Sequence, residues 1–186
     1  MQRALCIACK HFVSLSLLLA ASPANAGPAG CEGGAYQAFD FWLGRWEVRT
    51  ADGTLAGHNE IIREHAGCLL VEHWQSATGG AGSSLNFYNP VDDRWRQVWV
   101  SPGSNIDIGG GLRDGSMVLE GFITYLEAAE RYPFRGTWTP LDDGRVRQFF
   151  EESRESGVWK PWFDGFYSRS ESRPESRAGA AGAAPD

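Results

Sequence analysis

The fold is decided by a stretch of eight residues, Phe39-Asp40-Phe41-Trp42-Leu43-Gly44-Arg45-Trp46. Four of the eight are aromatic, and Gly44 precedes Trp46 by two positions. The chain then continues as Glu47-Val48-Arg49-Thr50, which alternates as a half-buried strand does. A short aromatic segment followed by Gly-x-Trp at the head of the first strand is typical of small β-barrels that hold a ligand. It predicts that residues 39–43, the plug, close one end of a barrel and form at most one helical turn.

Residues 1–26 have the features of a secretory signal peptide. Arg3 and Lys10 give a basic start, residues 12–21 form an apolar run, and Ala24-Asn25-Ala26 matches an Ala-x-Ala cleavage site. The apolar run is too short to span a bilayer, which disfavours a membrane anchor as the alternative. We therefore predict an exported chain, periplasmic or secreted, that starts near Gly27.

The charge and the cysteines restrict the class of protein further. The formal net charge of −6 becomes more negative once Arg3 and Lys10 are removed, which disfavours nucleic-acid binding. Cys31 and Cys68 remain as a pair in an oxidising compartment, so we predict a disulfide between them, with two free thiols as the alternative. Neither cysteine has a second Cys or His at ligand spacing, which disfavours a metal site.

The body of the chain predicts one all-β domain at 39–169, between an N-terminal arm at 27–38 and a disordered tail at 170–186. Asp-Gly and other turn pairs recur at short intervals between apolar runs, which indicates an antiparallel meander. The ten predicted strands are 46–50, 55–65, 68–77, 84–89, 95–101, 105–112, 116–126, 134–139, 145–153 and 159–168. Closure into an up-and-down barrel would remove the two exposed edges; a two-sheet sandwich is the alternative.

Side-chain alternation groups polar residues with aromatics on one face of several strands. The groups are Glu72 with Trp74, Asn86 with Tyr88, and Gln97 with Trp95 and Trp99. If these faces point into the lumen, they predict a small-molecule site with an aromatic wall and a few oriented polar groups. Arg135 and Gln148, which shares a strand face with Phe150, are further polar candidates for the site. Two alternatives remain open. The polar groups could form a purely structural network, or the faces could be inverted, because both faces carry apolar residues.

The motifs resemble those of a family of exported bacterial proteins of unknown function with a calycin-like (lipocalin- or nitrobindin-like) barrel. Besides residues 39–46, the resemblance rests on the following segments: Gly67-Cys68-x-Leu70-x-Glu72-x-Trp74, Ser84-x-Asn86-x-Tyr88, Trp95-x-Gln97-x-Trp99-Val100, Trp138-Thr139-Pro140, Asp143-Gly144-x-Val146-Arg147-Gln148 and Phe163-Asp164-Gly165-x-Tyr167. The resemblance implies that Arg169 packs over Trp46, as a late arginine does in lipocalins and fatty-acid-binding proteins. It implies a fold and no reaction.

Catalytic motifs are sparse. The sequence has no Gly-x-Ser-x-Gly elbow, and His58, His65 and His73 do not share one strand face, so no metal is expected. No cofactor is predicted; haem held by one axial histidine is the alternative. Glu72 in a dry, aromatic lumen is the candidate general acid or base.

We predict a lumen that binds a small aromatic or amphipathic molecule. The alternatives are an isomerase or hydrolase that uses Glu72, and a structural or partner-binding envelope protein with a filled barrel.

Overall fold

A computed structural model describes residues 30–170. The predicted signal peptide lies outside the described residues, and so does the predicted tail beyond Ser170. In the described part of the chain, no helix has the length and apolar character needed to cross a membrane.

The described chain forms ten strands and two 3-10 helices, Asp40–Trp42 and His65–Gly67. The strands are β1 Gly44–Thr50, β2 Leu55–Glu64, β3 Leu69–Ser76, β4 Ala81–Asn89, β5 Arg94–Val100, β6 Ser104–Arg113, β7 Ser116–Tyr125, β8 Glu130–Pro140, β9 Val146–Glu155 and β10 Val158–Arg169. Each strand pairs antiparallel with its neighbour in sequence, and β1 also pairs with β10. The predicted up-and-down barrel is therefore confirmed, and the sandwich alternative is wrong.

The predicted strand faces agree with the observed burial. Glu72, Asn86, Gln97 and Gln148 are all buried inside the barrel, whereas their strand neighbours His73, Leu85, and Arg96 are exposed. The polar set therefore points inward, and the inverted assignment is excluded. The largest boundary differences are in β4 and β8, which begin three and four residues earlier than the alternation predicted, at Ala81 and Glu130.

The plug fills one end of the barrel with aromatic rings. Phe39 stacks on Trp42 with ring centroids 4.9 Å apart, and its edges meet Trp95 and Trp138 at 5.6 and 5.2 Å. Phe39, Trp42 and Trp138 are all fully buried. Offset and edge-to-face contacts of this kind add roughly 0.5–1.5 kcal/mol per pair beyond area burial. We call this part of the barrel the closed end.

The first and last strands meet at the closed end through Arg169. Its guanidinium lies 3.9 Å from the centroid of the Trp46 ring and donates a hydrogen bond to the Leu43 carbonyl at the end of the plug. Gly44 makes this approach feasible, because a Cβ there would overlap the Arg169 guanidinium and its φ is +123°. The packing of Arg169 over Trp46 that the resemblance implied is thus present.

The N-terminal arm covers the outside of the closed end. The Trp95 indole donates to the Ala35 carbonyl at 3.0 Å, and Tyr36 packs edge-on against Tyr88 with centroids 5.0 Å apart. The predicted disulfide is present between Cys31 and Cys68, at a sequence separation of 37. It joins the arm to the corner that precedes β3.

Removing the disulfide should destabilise the barrel strongly. A cross-link that closes a loop of this length is worth about 4 kcal/mol in the chain-entropy model. We expect a Cys31→Ala/Cys68→Ala double variant to lose about that much free energy of unfolding in urea titrations. The wild type in reductant should match the double variant, whose own stability should not respond to reductant. Equal stability of the oxidised wild type and the double variant would contradict this role.

Candidate functional site

The end of the barrel opposite the plug contains a cavity of about 150 Å³. Its apolar walls come from five different strands and are mostly aromatic: Trp74, Trp99, Ile106, Phe150, Trp162 and Phe163. Its polar lining consists of four residues: Glu72, Gln97, Gln148 and Tyr167. An apolar protein cavity of about 150 Å³ accommodates one benzene-sized molecule, so this space suits a small ring.

Four glycines explain why the aromatic walls leave space between them. A Cβ at Gly57 would overlap the ring of Trp74, and a Cβ at Gly82 would overlap the ring of Trp99. Gly136 and Phe150 form a third such pair, and Gly165 and Phe163 a fourth. The rings of Trp74, Trp99 and Phe150 therefore lie against a neighbouring strand, and that of Phe163 against its own strand, at positions that have no side chain. The rings line the lumen instead of crossing it.

Trp162 covers part of the mouth. A register shift between Pro161 and Phe163 in the β9–β10 pairing turns two consecutive residues, Trp162 and Phe163, toward the cavity. The Trp162 indole donates to the Tyr125 hydroxyl of β7 at 2.9 Å, and that hydroxyl donates to Glu152 of β9 at 3.1 Å. Because Trp162 is 43 % exposed, one side of the ring faces solvent while the other packs on Phe134 and Phe150.

Between the cavity and the closed end lies a hydrogen-bonded group that we call the polar layer: Asn59, Glu72, Ser84, Asn86, Gln97, Gln148 and Tyr167. Asn59 Nδ2 donates to Glu72 Oε1 at 2.7 Å, and Ser84 Oγ donates to Glu72 Oε2 at 2.5 Å. Asn59 also donates to the Tyr167 hydroxyl at 3.3 Å, and Tyr167 donates to Gln148 Oε1. Glu72, Asn86 and Gln97 therefore belong to one network, as considered from the sequence, but they are joined through Ser84 and without Arg135. The residues of this layer that face the cavity form its polar lining.

The other half of the polar layer supports Ser84. Asn86 Nδ2 donates to Ser84 Oγ at 2.8 Å and to the Leu70 carbonyl, and Gln97 Nε2 donates to Asn86 Oδ1 at 2.8 Å. Asn86 is fully buried and does not line the cavity. Its role is to orient Ser84, which in turn orients the Glu72 carboxyl.

Two amide atoms on the cavity lining have no protein partner among residues 30–170. Gln148 uses its carbonyl for Tyr167, and its Nε2 donates to no described residue. Gln97 Nε2 donates to Ser84 and Asn86, whereas its Oε1 accepts from no described residue. The lining therefore offers one amide donor and one amide acceptor beside the Glu72 carboxyl.

Burial makes Glu72 the unusual acid of the lumen. Desolvation raises the pKa of its carboxyl from 4.5 to about 7, against the opposing effect of the hydrogen bonds from Ser84 and Asn59. Both protonation states can be accommodated. Asn59 Oδ1 is buried without a donor in the described structure, so a rotated Asn59 amide can accept the proton of a neutral Glu72. Desolvation, followed by the nearby Glu72 charge, raises the pKa of Tyr167 well above its usual value, which keeps its hydroxyl neutral.

The structure brings together five of the nine residues proposed from sequence for the site: Glu72, Trp74, Gln97, Trp99 and Gln148. Tyr88 and Trp95 do face inward but belong to the closed end, where the arm covers them. Arg135 is a correction, because β8 alternates so that Phe134 points inward and Arg135 outward. On the outer face Arg135 pairs with Glu151 at 2.7 Å and stacks on Trp159.

Sequence reasoning missed several residues of the site. Asn59 and Tyr167 complete the polar layer, and Ile106, Phe150, Trp162 and Phe163 complete the walls. Phe150 was assigned to the correct face but not to the site. Pro161 inside a strand was an available signal for the irregularity that turns Trp162 inward, because proline in sheets marks edges and bulges.

His58, His65 and His73, the histidines among residues 30–170, do not come together at one site. His65 and His73 are exposed and His58 lies on the outer face of β2. Within residues 30–170, no three His, Cys, Asp or Glu side chains are placed to share a metal ion.

No protein-family model matches the chain, and no curated protein matches it significantly. The geometry of the lumen is therefore the basis for a functional proposal.

Glu72 should make the stability of the barrel pH-dependent. Because its pKa is raised in the folded state, the folded chain keeps a proton between pH 4.5 and about 7 that the unfolded chain releases. The free energy of unfolding should therefore fall by about 3 kcal/mol as the pH rises through this window. Urea titrations across the window should show this loss in the wild type and in the outer-face variant Glu151→Gln. The slope should be absent in Glu72→Gln; an unchanged slope there would contradict the assignment.

The glycine–aromatic pairs can be tested at Gly82. We expect Gly82→Ala to push the Trp99 ring inward and to cost about 1–3 kcal/mol in unfolding free energy, as overpacking does. Gly103→Ala is the matched control, because a Cβ there meets nothing within 4 Å. The control should change stability by less than about 0.5 kcal/mol. Equal urea midpoints for the two variants would show that Trp99 does not depend on the missing side chain.

Proposed function

We propose that this protein is an exported β-barrel that binds a small aromatic or amphipathic molecule in its lumen. The observation that carries the proposal is the cavity itself, which has aromatic walls and ends on the polar layer. Ligand sites are commonly of this kind: mostly apolar, with a few oriented polar groups. A barrel that needed only a stable core would gain by filling this space, because an empty core volume costs packing energy.

The closed end supplies the contrast. There the plug and inward-facing side chains fill the lumen, and Phe39, Trp42, Trp46 and Trp138 are buried almost completely. The same chain leaves the other end open by placing glycines opposite four of its aromatic rings. A purely structural barrel does not need this difference between its two ends, and a ligand-binding barrel does.

Export is part of the proposal. The predicted signal peptide is the main ground for export. The Cys31–Cys68 disulfide supports export, because disulfides persist in oxidising compartments. Membership of the exported calycin-like family that the motifs resemble is likewise a proposal, which the closed barrel and the packing of Arg169 over Trp46 support.

The tryptophans allow a direct test of lumen binding. The chain has eight, of which Trp74, Trp99 and Trp162 line the cavity and the others lie elsewhere. We expect small aromatic fragments to shift the indole N–H signals of these three in ¹H–¹⁵N NMR spectra. The signals of Trp42 and Trp138 at the closed end should stay in place.

A variant that fills the cavity provides the control. Ile106 is buried and lines the cavity, whereas Asn105 beside it is exposed on the outer face. Ile106→Trp should abolish the fragment-induced shifts, and Asn105→Trp should leave them unchanged. Shifts that persist in Ile106→Trp, or a fragment set that never shifts the three cavity indoles, would contradict lumen binding.

A second function is favoured by one observation, the raised pKa of Glu72 at about 7. A carboxyl that titrates near neutral pH is suited to general acid or base catalysis, as in a proton-transfer isomerase or a small hydrolase. An enzyme of this kind should lose turnover of its bound ligand in Glu72→Gln while it retains binding. A binding protein shows no turnover for that change to remove.

A further inference from the structure

The buried carboxyl of Glu72 has no positive partner. It is 3 % exposed, and both of its hydrogen-bond partners, Asn59 and Ser84, are neutral. Every ion pair within residues 30–170 uses some other carboxylate. A buried charge is normally paired, because its transfer out of water is costly. The lumen thus contains a carboxyl whose ionised form has no counter-charge in the described chain.

The groups that face Glu72 from the other strands confirm this imbalance. They are Asn59 from β2, Ser84 from β4, Gln97 from β5, Gln148 from β9 and Tyr167 from β10. Tyr167 is the titratable member of this set, and its hydroxyl is neutral. At the mouth, Glu152 already pairs with Arg154 at 2.9 Å. An anionic ligand would therefore meet repulsion and no compensating cation.

The aromatic rings around the cavity lack cations in the same way. Arginines stack on seven rings of the described chain, among them Trp46, Phe122 and Trp159. None of these seven is a ring of the cavity wall. No arginine of the described chain therefore covers the rings of Trp74, Trp99 and Trp162, which line the cavity. Aromatic cages of this composition are suited to substituted ammonium ions, which bind tryptophan faces within about 6 Å.

We propose that the lumen takes a small organic cation, an aryl or alkyl ammonium ion whose charge lies beside Glu72 and whose apolar groups pack on Trp74, Trp99 and Trp162. This inference rests on the proposed lumen-binding function and specifies its ligand class. Gln97 Oε1 can accept an N–H from ammonium ions that carry one, since it accepts from no described residue. A cation held here makes Glu72 fully ionised, so its binding strengthens as the pH rises past about 7.

Two isosteric probes test the charge directly. Phenyltrimethylammonium carries a positive charge at every pH, and tert-butylbenzene has nearly the same shape without the charge. Both are titrated into the full chain while the indole N–H signals of the cavity tryptophans are followed. At pH about 9 we expect the cation to bind at least about 10-fold more tightly than the neutral probe. At pH about 5, where about 1 % of Glu72 is ionised, this preference should fall at least about 10-fold.

Variants separate Glu72 from the remaining acidic groups. Glu72→Gln should lose the preference for the cation and its pH dependence while still binding tert-butylbenzene. Glu151→Gln removes a carboxylate from the outer face and should keep both. The comparison of the two probes and the two pH values in the wild type applies whether or not Glu72→Gln folds.

The possible failures are distinguishable. If tert-butylbenzene shifts the cavity indoles and binds as tightly as the cation at pH about 9, the cation proposal is overturned and lumen binding stands. If neither probe shifts those indole signals, both the cation proposal and the proposed lumen-binding function are overturned. A preference for the cation that survives unchanged in Glu72→Gln places the charge recognition elsewhere and also overturns the proposal.

Discussion

Closure of the sheet between β1 and β10 is the constraint on which the rest of the structure depends. Five residue pairs join these strands, and Arg169 packs over Trp46 at one end of the seam. Closure pairs the backbone N–H and C=O groups of the two edge strands. It also creates an interior that side chains or a ligand must fill. The plug fills one end, and its last carbonyl before β1, that of Leu43, accepts from Arg169. The same arginine therefore helps to close the sheet and to hold the plug in position.

The two ends of the lumen are packed differently. At the closed end, aromatic rings meet one another edge to face and leave little space. At the open end, Trp74 and Trp99 lie against Gly57 and Gly82, so that large side chains line the wall and still leave a cavity. The polar layer separates the two regions. It keeps Glu72 dry enough to titrate near neutral pH and close enough to the cavity to meet a ligand.

Much of this could be predicted from sequence, because strand periodicity and turn pairs are local properties. All ten strands and the grouping of Glu72 with Trp74 and of Gln97 with Trp99 on one strand face belong to this class. The Cys31–Cys68 pair was predicted from the cysteine count and the expected compartment. The incorrect site assignments concern the position of a residue along the barrel axis. Tyr88 and Trp95 share the correct face but lie at the closed end, and periodicity does not report height in the barrel.

Arg135 and Trp162 show two other limits of prediction from strand periodicity. The sequence predicts Arg135 among the polar groups of the lumen, whereas the phase of β8 directs it to Glu151 on the outside. Trp162 reaches the cavity only because the register shifts beside Pro161, and a strict alternation would separate it from Phe163. Both depend on how neighbouring strands pair, which the residue pattern of one strand does not contain.

We infer that the open end of the lumen is kept empty for a ligand. Native mass spectrometry of the protein purified from its own host gives a direct test. We expect a retained small molecule in the wild type and in Asn105→Trp, and none in Ile106→Trp. A wild-type spectrum with the mass of the bare chain alone, the same as that of the cavity-filled variant after correction for the substitution, would contradict it.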